Sequence, residues 1–290
     1  MNKLDPLVLS QQGFPLLFYH ANGYPPEAYR IFLGDFLKEY HVQAMYLRPF
    51  WPGADPLSLR DWLVFRDDYS NYLDSLSKNL KQEKNNFSQV IGVGHSVGAM
   101  TTIMTAIEKP ELFKTLVLIE PVLFPRWQGV LMRCQAPLNL IKRFHPLIQG
   151  TLRRKTHFPD KEIMYQNYRG KSVFENFSDQ VLRDYVDGLA GKNPDGTFSL
   201  KYTPAWEARI YETGGIADWY VWRNLAKVKC PVLVIRGENS DTLRDQTMRK
   251  MVNKLPRGQA HTIPDAGHLV PLESPRQTAE TILEFLAEKP

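Results

Sequence analysis

Apolar positions along this chain come in short unbroken runs, each followed by a longer stretch of helical spacing. Leu16–Tyr19, Val42–Tyr46, Val90–Val93, Leu116–Ile119, Val232–Ile235 and Ala260–Ile263 read as strands. Their continuous rather than alternating apolar character predicts strands covered on both faces, as in a parallel sheet. Glu27–Tyr40, Leu59–Lys81, Val97–Lys109, Thr242–Lys254 and Arg276–Glu288 read as helices. Alternating strands and helices imply an α/β fold with right-handed crossovers. The expected architecture is a mostly parallel, doubly covered central sheet of about eight strands.

One interval breaks the rhythm. After Ile119 the next strand pattern begins at Val232, about 110 residues later. That is too long for a loop, and Val130–Arg143 and Asp179–Leu189 within it have helical character. The chain is therefore divided into a core of residues 1–120 and 230–290 and an inserted, mostly helical cap over 121–229.

Composition changes this picture only in places. Apolar residues make up 43% of the 290 and charged residues 23%, as in ordinary globular proteins. The first residues contain Lys3 and Asp5 and no apolar core of a signal peptide, and no run approaches the roughly 18 residues that span a bilayer. A cytoplasmic location is expected. Two cysteines, Cys134 and Cys230, are too few for a disulfide framework or structural zinc site. No HExxH, Cys/His cluster or P-loop occurs, so neither a metal nor a nucleotide cofactor is expected. Charge is uneven: Pro121–Cys230 holds 17 Lys/Arg against 10 Asp/Glu, a net +7 within a chain of +5.

The chemistry centres on Gly94-His95-Ser96-Val97-Gly98, between a strand and a helix. A sharp turn there lifts a serine above the sheet edge and aims the helix N-terminus at it. A serine hydroxyl needs a base and an orienting carboxylate to become a nucleophile. With the order Ser, acid, His, the late histidines are His261, inside a strand run, and His268, in the loop after it. His268 is the preferred base, because reactive groups of open α/β sheets gather at the strands' carboxyl ends. Asp241, 27 residues before His268, is the preferred acid. Glu120, which ends LVLIEPV, is the alternative, and Glu238 is read as turn support. The oxyanion donors are assigned to the Val97 N–H and to Asn22, through its main chain or side-chain amide. Trp51, Phe124 and Trp127 are expected to wall the substrate pocket.

FYHANG, VGHSVGA, GENSD and DAGHLVPLE together resemble the α/β-hydrolase fold superfamily over the whole chain apart from the cap. The resemblance implies a lid inserted after the sixth strand, and Ser96, Asp241 and His268 as nucleophile, acid and base. It departs from the superfamily's pattern in two places. His20-Ala21-Asn22-Gly23 replaces the usual His-Gly, and Ser240 stands where the acid motif places aspartate. The serine excludes the aspartate-nucleophile dehalogenases and epoxide hydrolases of this fold.

The expected activity is hydrolysis of a small-molecule carboxylic ester or thioester through an acyl-enzyme on Ser96. The alternatives are a carbon–carbon bond hydrolase with the same residues and a non-catalytic ligand receptor. Nucleic acid is not an expected partner, since no binding motif accompanies the charge. Pro121–Pro159 carries seven Lys/Arg, among them Arg153, Arg154 and Lys155, and no acidic residue. Such a segment suits either contact with an anionic membrane surface or steering of an acidic substrate, or else a simple solvated face.

Overall fold

The computed structural model describes residues 3–82, 88–124 and 146–288. The first half contains strands β1 (Leu7–Val8), β2 (Phe14–Tyr19), β3 (Tyr40–Met45), β4 (Val90–His95) and β5 (Phe113–Ile119). Its helices are α1 (Arg30–Gly34), α2 (Leu63–Gln82) and α3 (Val97–Glu108). After the interval come β9 (Val232–Gly237), α9 (Asp245–Val252), β10 (Gly258–Ile263), α10 (Val270–Glu273) and α11 (Pro275–Ala287). All six expected strands are present, with ends displaced by one to three residues.

Among the described residues the main sheet has seven strands, ordered β1-β3-β2-β4-β5-β9-β10. Every pairing is parallel except β1 with β3. The two-residue β1 was too short for any periodicity to reveal. From β2 the chain steps outward to β3, then crosses back to β4 and continues to β10. Right-handed crossovers therefore put α1 on one face and α2 and α3 on the other. Strand β4 lies at the centre and is buried throughout, which accounts for its unbroken apolar sequence.

The expected helix at Glu27–Tyr40 shrinks to a 3-10 turn (Pro26–Tyr29) and the five-residue α1. Gly34 and Asp35 are weak helix formers, and the sheet claims Tyr40 as the first residue of β3. Likewise α2 starts at Leu63, where the Asp61 carboxylate accepts the Leu63 N–H at 2.8 Å.

Between β5 and β9 lie α4 (Pro146–Leu152), β6 (His157–Phe158), α5 (Lys161–Arg169), α6 (Asp179–Leu189), β7 (Ala190–Lys192), β8 (Phe198–Leu200), α7 (Pro204–Thr213) and α8 (Gly215–Asn224). Helix α6 has the predicted bounds, with Ser178 accepting the Val181 N–H at its start. The predicted helix at Val130–Arg143 lies outside the described residues. This region is not purely helical: β6, β8 and β7 form a small antiparallel sheet. Buried side chains from both regions, such as Tyr185 and Trp206 with Tyr19 and Val97, belong to one hydrophobic cluster.

Candidate active site

The site lies at the carboxyl ends of β2, β4, β5, β9 and β10, where an open α/β sheet leaves its crevice. Ser96 connects β4 to α3 with φ 58° and ψ −119°, a conformation rare for a side-chain-bearing residue and costing about 1–3 kcal/mol. The flanking glycines are required by close approach. A Cβ on Gly94 would lie 2.4 Å from the Gly98 carbonyl oxygen, and one on Gly98 would lie 2.3 Å from that of Tyr19. Two glycines therefore enclose the hydroxyl: a side chain at position 94 would strike the start of α3, and one at position 98 the end of β2.

The Ser96 hydroxyl is 3.0 Å from His268 Nε2, and His268 Nδ1 is 3.0 Å from Glu120 Oε2. Since a carboxylate only accepts, Nδ1 carries the proton there and Nε2 accepts from the hydroxyl. Glu120 is fully buried and follows β5 at φ 49°. Its Oε1 accepts the Gly237 N–H at 2.7 Å, and its Oε2 also accepts the Ser240 hydroxyl at 2.6 Å. A hydroxyl, an imidazole and a buried carboxylate in this line can pass the hydroxyl proton to nitrogen and stabilise the resulting imidazolium.

The position expected for Asp241 is thereby corrected. Asp241 is exposed, and its carboxylate accepts from the Thr242 hydroxyl at 3.0 Å. The turn after β9, closed by the Ser240 N–H on the Gly237 carbonyl at 3.1 Å, presents Ser240 to the interior. Asp241, one residue further, borders the cavity without reaching the imidazole ring. The carboxylate facing His268 comes from the alternative, Glu120. Glu238 does support a turn, accepting the Asp265 N–H at 3.2 Å. His261 is exposed in β10, away from this line.

Val97 is the first residue of α3, so its N–H has no intrahelical acceptor, and the residue lines the cavity beside Ser96. Asn22 also lines it, but its side-chain amide is engaged elsewhere. Its Nδ2 donates to the Glu207 carbonyl oxygen at 3.1 Å, and its Oδ1 accepts from the Tyr202 hydroxyl at 2.6 Å. The second Nδ2 hydrogen is engaged with the Tyr211 hydroxyl, so the main-chain N–H is the Asn22 donor left for the site.

A hydrogen-bonded relay beneath the site was not anticipated. The Ala21 N–H donates to the Tyr29 hydroxyl at 3.2 Å, and that hydroxyl donates to His95 Nδ1 at 2.8 Å. His95 Nε2 then donates to the His268 carbonyl oxygen at 2.9 Å. Burial holds His95 well below the usual histidine range, so it is neutral and acts as one donor and one acceptor. The relay ties the loop after β2 to the loop carrying His268. His20 is likewise buried and depressed to about 4, with its ring between the Ala21 carbonyl and the Leu47 N–H.

The cavity over Ser96 encloses about 310 Å³ and is mainly apolar, with Trp62, Val122, Phe124 and Ile210 among its walls. Phe124 is where the sequence places it. Trp51 is not: it is buried, donates to the Tyr46 carbonyl and stacks with Arg48. Trp127 lies outside the described residues. The pattern missed Trp62, whose indole N–H donates to the Ile210 carbonyl at 2.9 Å and ties the cavity wall to α7. It also missed Asp218, a buried carboxyl on the wall, pushed up to about 8 by burial against an opposing hydrogen bond from the Phe124 N–H. Among the described residues no group of His, Cys, Asp and Glu could hold a metal ion, and no helix is long and apolar enough to cross a membrane.

Known proteins resemble the chain over most of its length. It is 23% identical over 287 residues to the (E)-2-((N-methylformamido)methylene)succinate hydrolase of Acinetobacter baylyi, covering 96% of this chain and 92% of that one. The crystal structure of E-2-(acetamidomethylene)succinate hydrolase superposes with a TM-score of 0.71 at 18% identity, covering 96% and 93%. A thioesterase domain from the curacin biosynthetic pathway also gives 0.71, at 16% identity and 97% and 100% coverage. A sequence model of the alpha/beta hydrolase family matches residues 16–281, within which Ser96, Glu120 and His268 all fall, and the protein belongs to that family.

Proposed function

We propose that this hydrolase cleaves a carboxylic ester or thioester of a small molecule through an acyl-enzyme on Ser96. The observation that carries this reading is the line from Ser96 through His268 to buried Glu120, with both contacts at 3.0 Å, opening into an apolar cavity. His268 Nε2 takes the Ser96 proton as the oxygen attacks the substrate carbonyl. Glu120 holds the ring and offsets the charge it gains. The Val97 and Asn22 N–H groups receive the negative oxygen of the tetrahedral intermediate. His268 then returns the proton to the leaving group, and a water activated by the same nitrogen releases the acyl group. The mainly apolar lining of the cavity favours this, because donors act more strongly in surroundings of low dielectric constant.

A second reading, cleavage of a carbon–carbon bond by the same three residues, is favoured by one finding. The relative aligned over 96% of the chain is named for a substituted methylenesuccinate rather than an ester. A ligand receptor is disfavoured because nucleophile, base and carboxylate are all in contact. The test is a fluorophosphonate probe, followed by a panel of p-nitrophenyl esters and acyl-CoA thioesters. Wild-type protein should be labelled at Ser96, and folded Ser96→Ala should lose label and several orders of magnitude of turnover. Near-normal turnover in Ser96→Ala overturns the assignment. Silence of folded wild-type protein toward the probe favours the receptor.

A further inference from the structure

A second cavity, of about 440 Å³, opens beside the reactive one and shares Tyr24, Leu147, Val173 and Tyr211 with it. Its polar wall is unlike that of its neighbour. Glu207 is the one carboxylate among the described lining residues, and both its oxygens are engaged. Oε1 accepts from the Thr151 hydroxyl at 3.1 Å, and Oε2 is paired with the Arg154 guanidinium. Arg154 Nη2 also donates to the Tyr168 and Tyr185 hydroxyl oxygens at 3.1 and 2.9 Å. Each phenol is thus used as an acceptor and keeps its own O–H to donate, with no acceptor for either among the described residues.

Lys171 completes the wall. Its ammonium stands 4.9 Å from the centre of the Tyr168 ring and makes no ion pair among the described residues. Burial and the neighbouring Arg154 depress it below the usual lysine range, with Glu207 opposing. The balance of this pocket is a surplus of donors. Glu207 cancels Arg154, leaving one positive charge and two O–H groups without acceptors.

We propose that this side pocket binds a carboxylate borne by the substrate, received by the Lys171 ammonium and the Tyr168 and Tyr185 hydroxyls, while the scissile carbonyl lies at Ser96. A neutral carbonyl would satisfy the hydroxyls but not the ammonium. A monoanion with two oxygens matches both the charge and the donor count. The proposal rests on the hydrolase reading of Ser96, and it names the substrate class as an acid ester or thioester.

The test compares p-nitrophenyl hydrogen succinate, glutarate and adipate with neutral p-nitrophenyl esters of matching length. Wild-type protein should favour at least one acid ester by about tenfold in kcat/KM, the effect of one charge-assisted hydrogen bond. Lys171→Gln should lower that preference about tenfold, and Lys171→Arg should retain most of it. Independently of turnover, Ser96→Ala protein should bind the corresponding dicarboxylate in calorimetry, with a Kd raised about tenfold or more by Lys171→Gln. Preference absent across the series, or unchanged in Lys171→Gln, overturns the subsite. Fluorophosphonate labelling in the same preparations separates the two failures. With Ser96 labelled only the subsite falls, whereas without labelling the reading of the active site falls first.

Discussion

Two buried glutamates, one at the end of the sheet and one in the inserted region, have opposite surroundings. Glu120 accepts from a main-chain N–H, a hydroxyl and an imidazole, all neutral donors. Glu207 accepts from a hydroxyl and is paired with a guanidinium. Neutral donors hold a carboxylate in place while leaving its charge unmatched, and that charge is then available to an imidazolium when one forms. A guanidinium cancels the charge at once, so Glu207 braces the side pocket and orients Arg154 toward the phenols. In the proposed mechanism the same side chain thus serves proton transfer in one region and rigidity in the other. The identity of its donors makes the difference.

The largest expected effect tests the first half of this contrast. Glu120→Gln keeps the shape of the side chain but replaces a charge by an amide beside His268. Its kcat should fall by about 10⁴, the scale set by the equivalent change in a serine protease. Asp241→Asn, on the exposed side of the same turn, should cost less than tenfold. Steady-state kinetics with one activated ester checks both, and the reverse order would return the acid role to Asp241.

The sequence made the reactive edge legible to a different degree at each residue. Ser96 and its glycines follow from a local steric rule, because the tight turn needs small neighbours within two positions. His268 was found because a strand pattern ended just before it. The acid was harder, as Glu120 and Asp241 both follow strands that reach the same edge. What separates them is the direction of one turn, in which Ser240 faces inward and Asp241 does not. The inserted region was read least well. Arg154 and Glu207 are 53 residues apart and meet only through tertiary packing, and two- or three-residue strands leave no periodicity to detect. Trp51 was placed at the pocket because it follows a strand end, but the 3-10 turn at Arg48–Phe50 carries it behind the wall.

A third buried carboxyl extends the comparison with a smaller effect. Among the described residues Asp218 has neither three neutral donors nor a cation, only the Phe124 N–H at 3.3 Å. Burial therefore raises it from 3.8 to about 8, and the folded protein keeps a proton that the unfolded chain releases. The associated stability is fully present below pH 4 and is lost as pH rises toward 8. Within that window the slope is at most about 1.4 kcal/mol per pH unit. Asp218→Asn keeps an acceptor for the N–H and removes the titration. Its Tm should exceed that of wild-type protein at pH 8, with the gap closing toward pH 5, as followed by calorimetry. Parallel Tm profiles for the two proteins would show that the carboxyl does not hold its proton.

The smallest effect concerns the basic segment, whose seven charges have separate fates. Arg126, Arg133, Lys142 and Arg143 lie outside the described residues. Arg154 is inside, committed to Glu207 and two phenols, so it contributes little to an outer field. Arg153 and Lys155 on either side of it are exposed; Arg153 donates to the Gln149 carbonyl and Lys155 lies over the Phe158 ring. Exposed charges act over about a Debye length, roughly 10 Å at 0.1 M salt, so their influence on an approaching anion is weak and easily screened. For an acid ester, kcat/KM should therefore fall by less than about threefold between low and physiological salt, and a neutral ester of matching length should show a flat profile. The double reversal Arg153→Glu with Lys155→Glu should flatten the acid-ester profile as well, without the loss of Tm that reversing Arg154 would bring by leaving Glu207 facing a like charge. If the double reversal leaves the salt profile intact, attraction comes from elsewhere on the surface. If it removes binding to anionic vesicles instead, the exposed pair serves a membrane, and the paired and unpaired arginines of one short segment have different jobs.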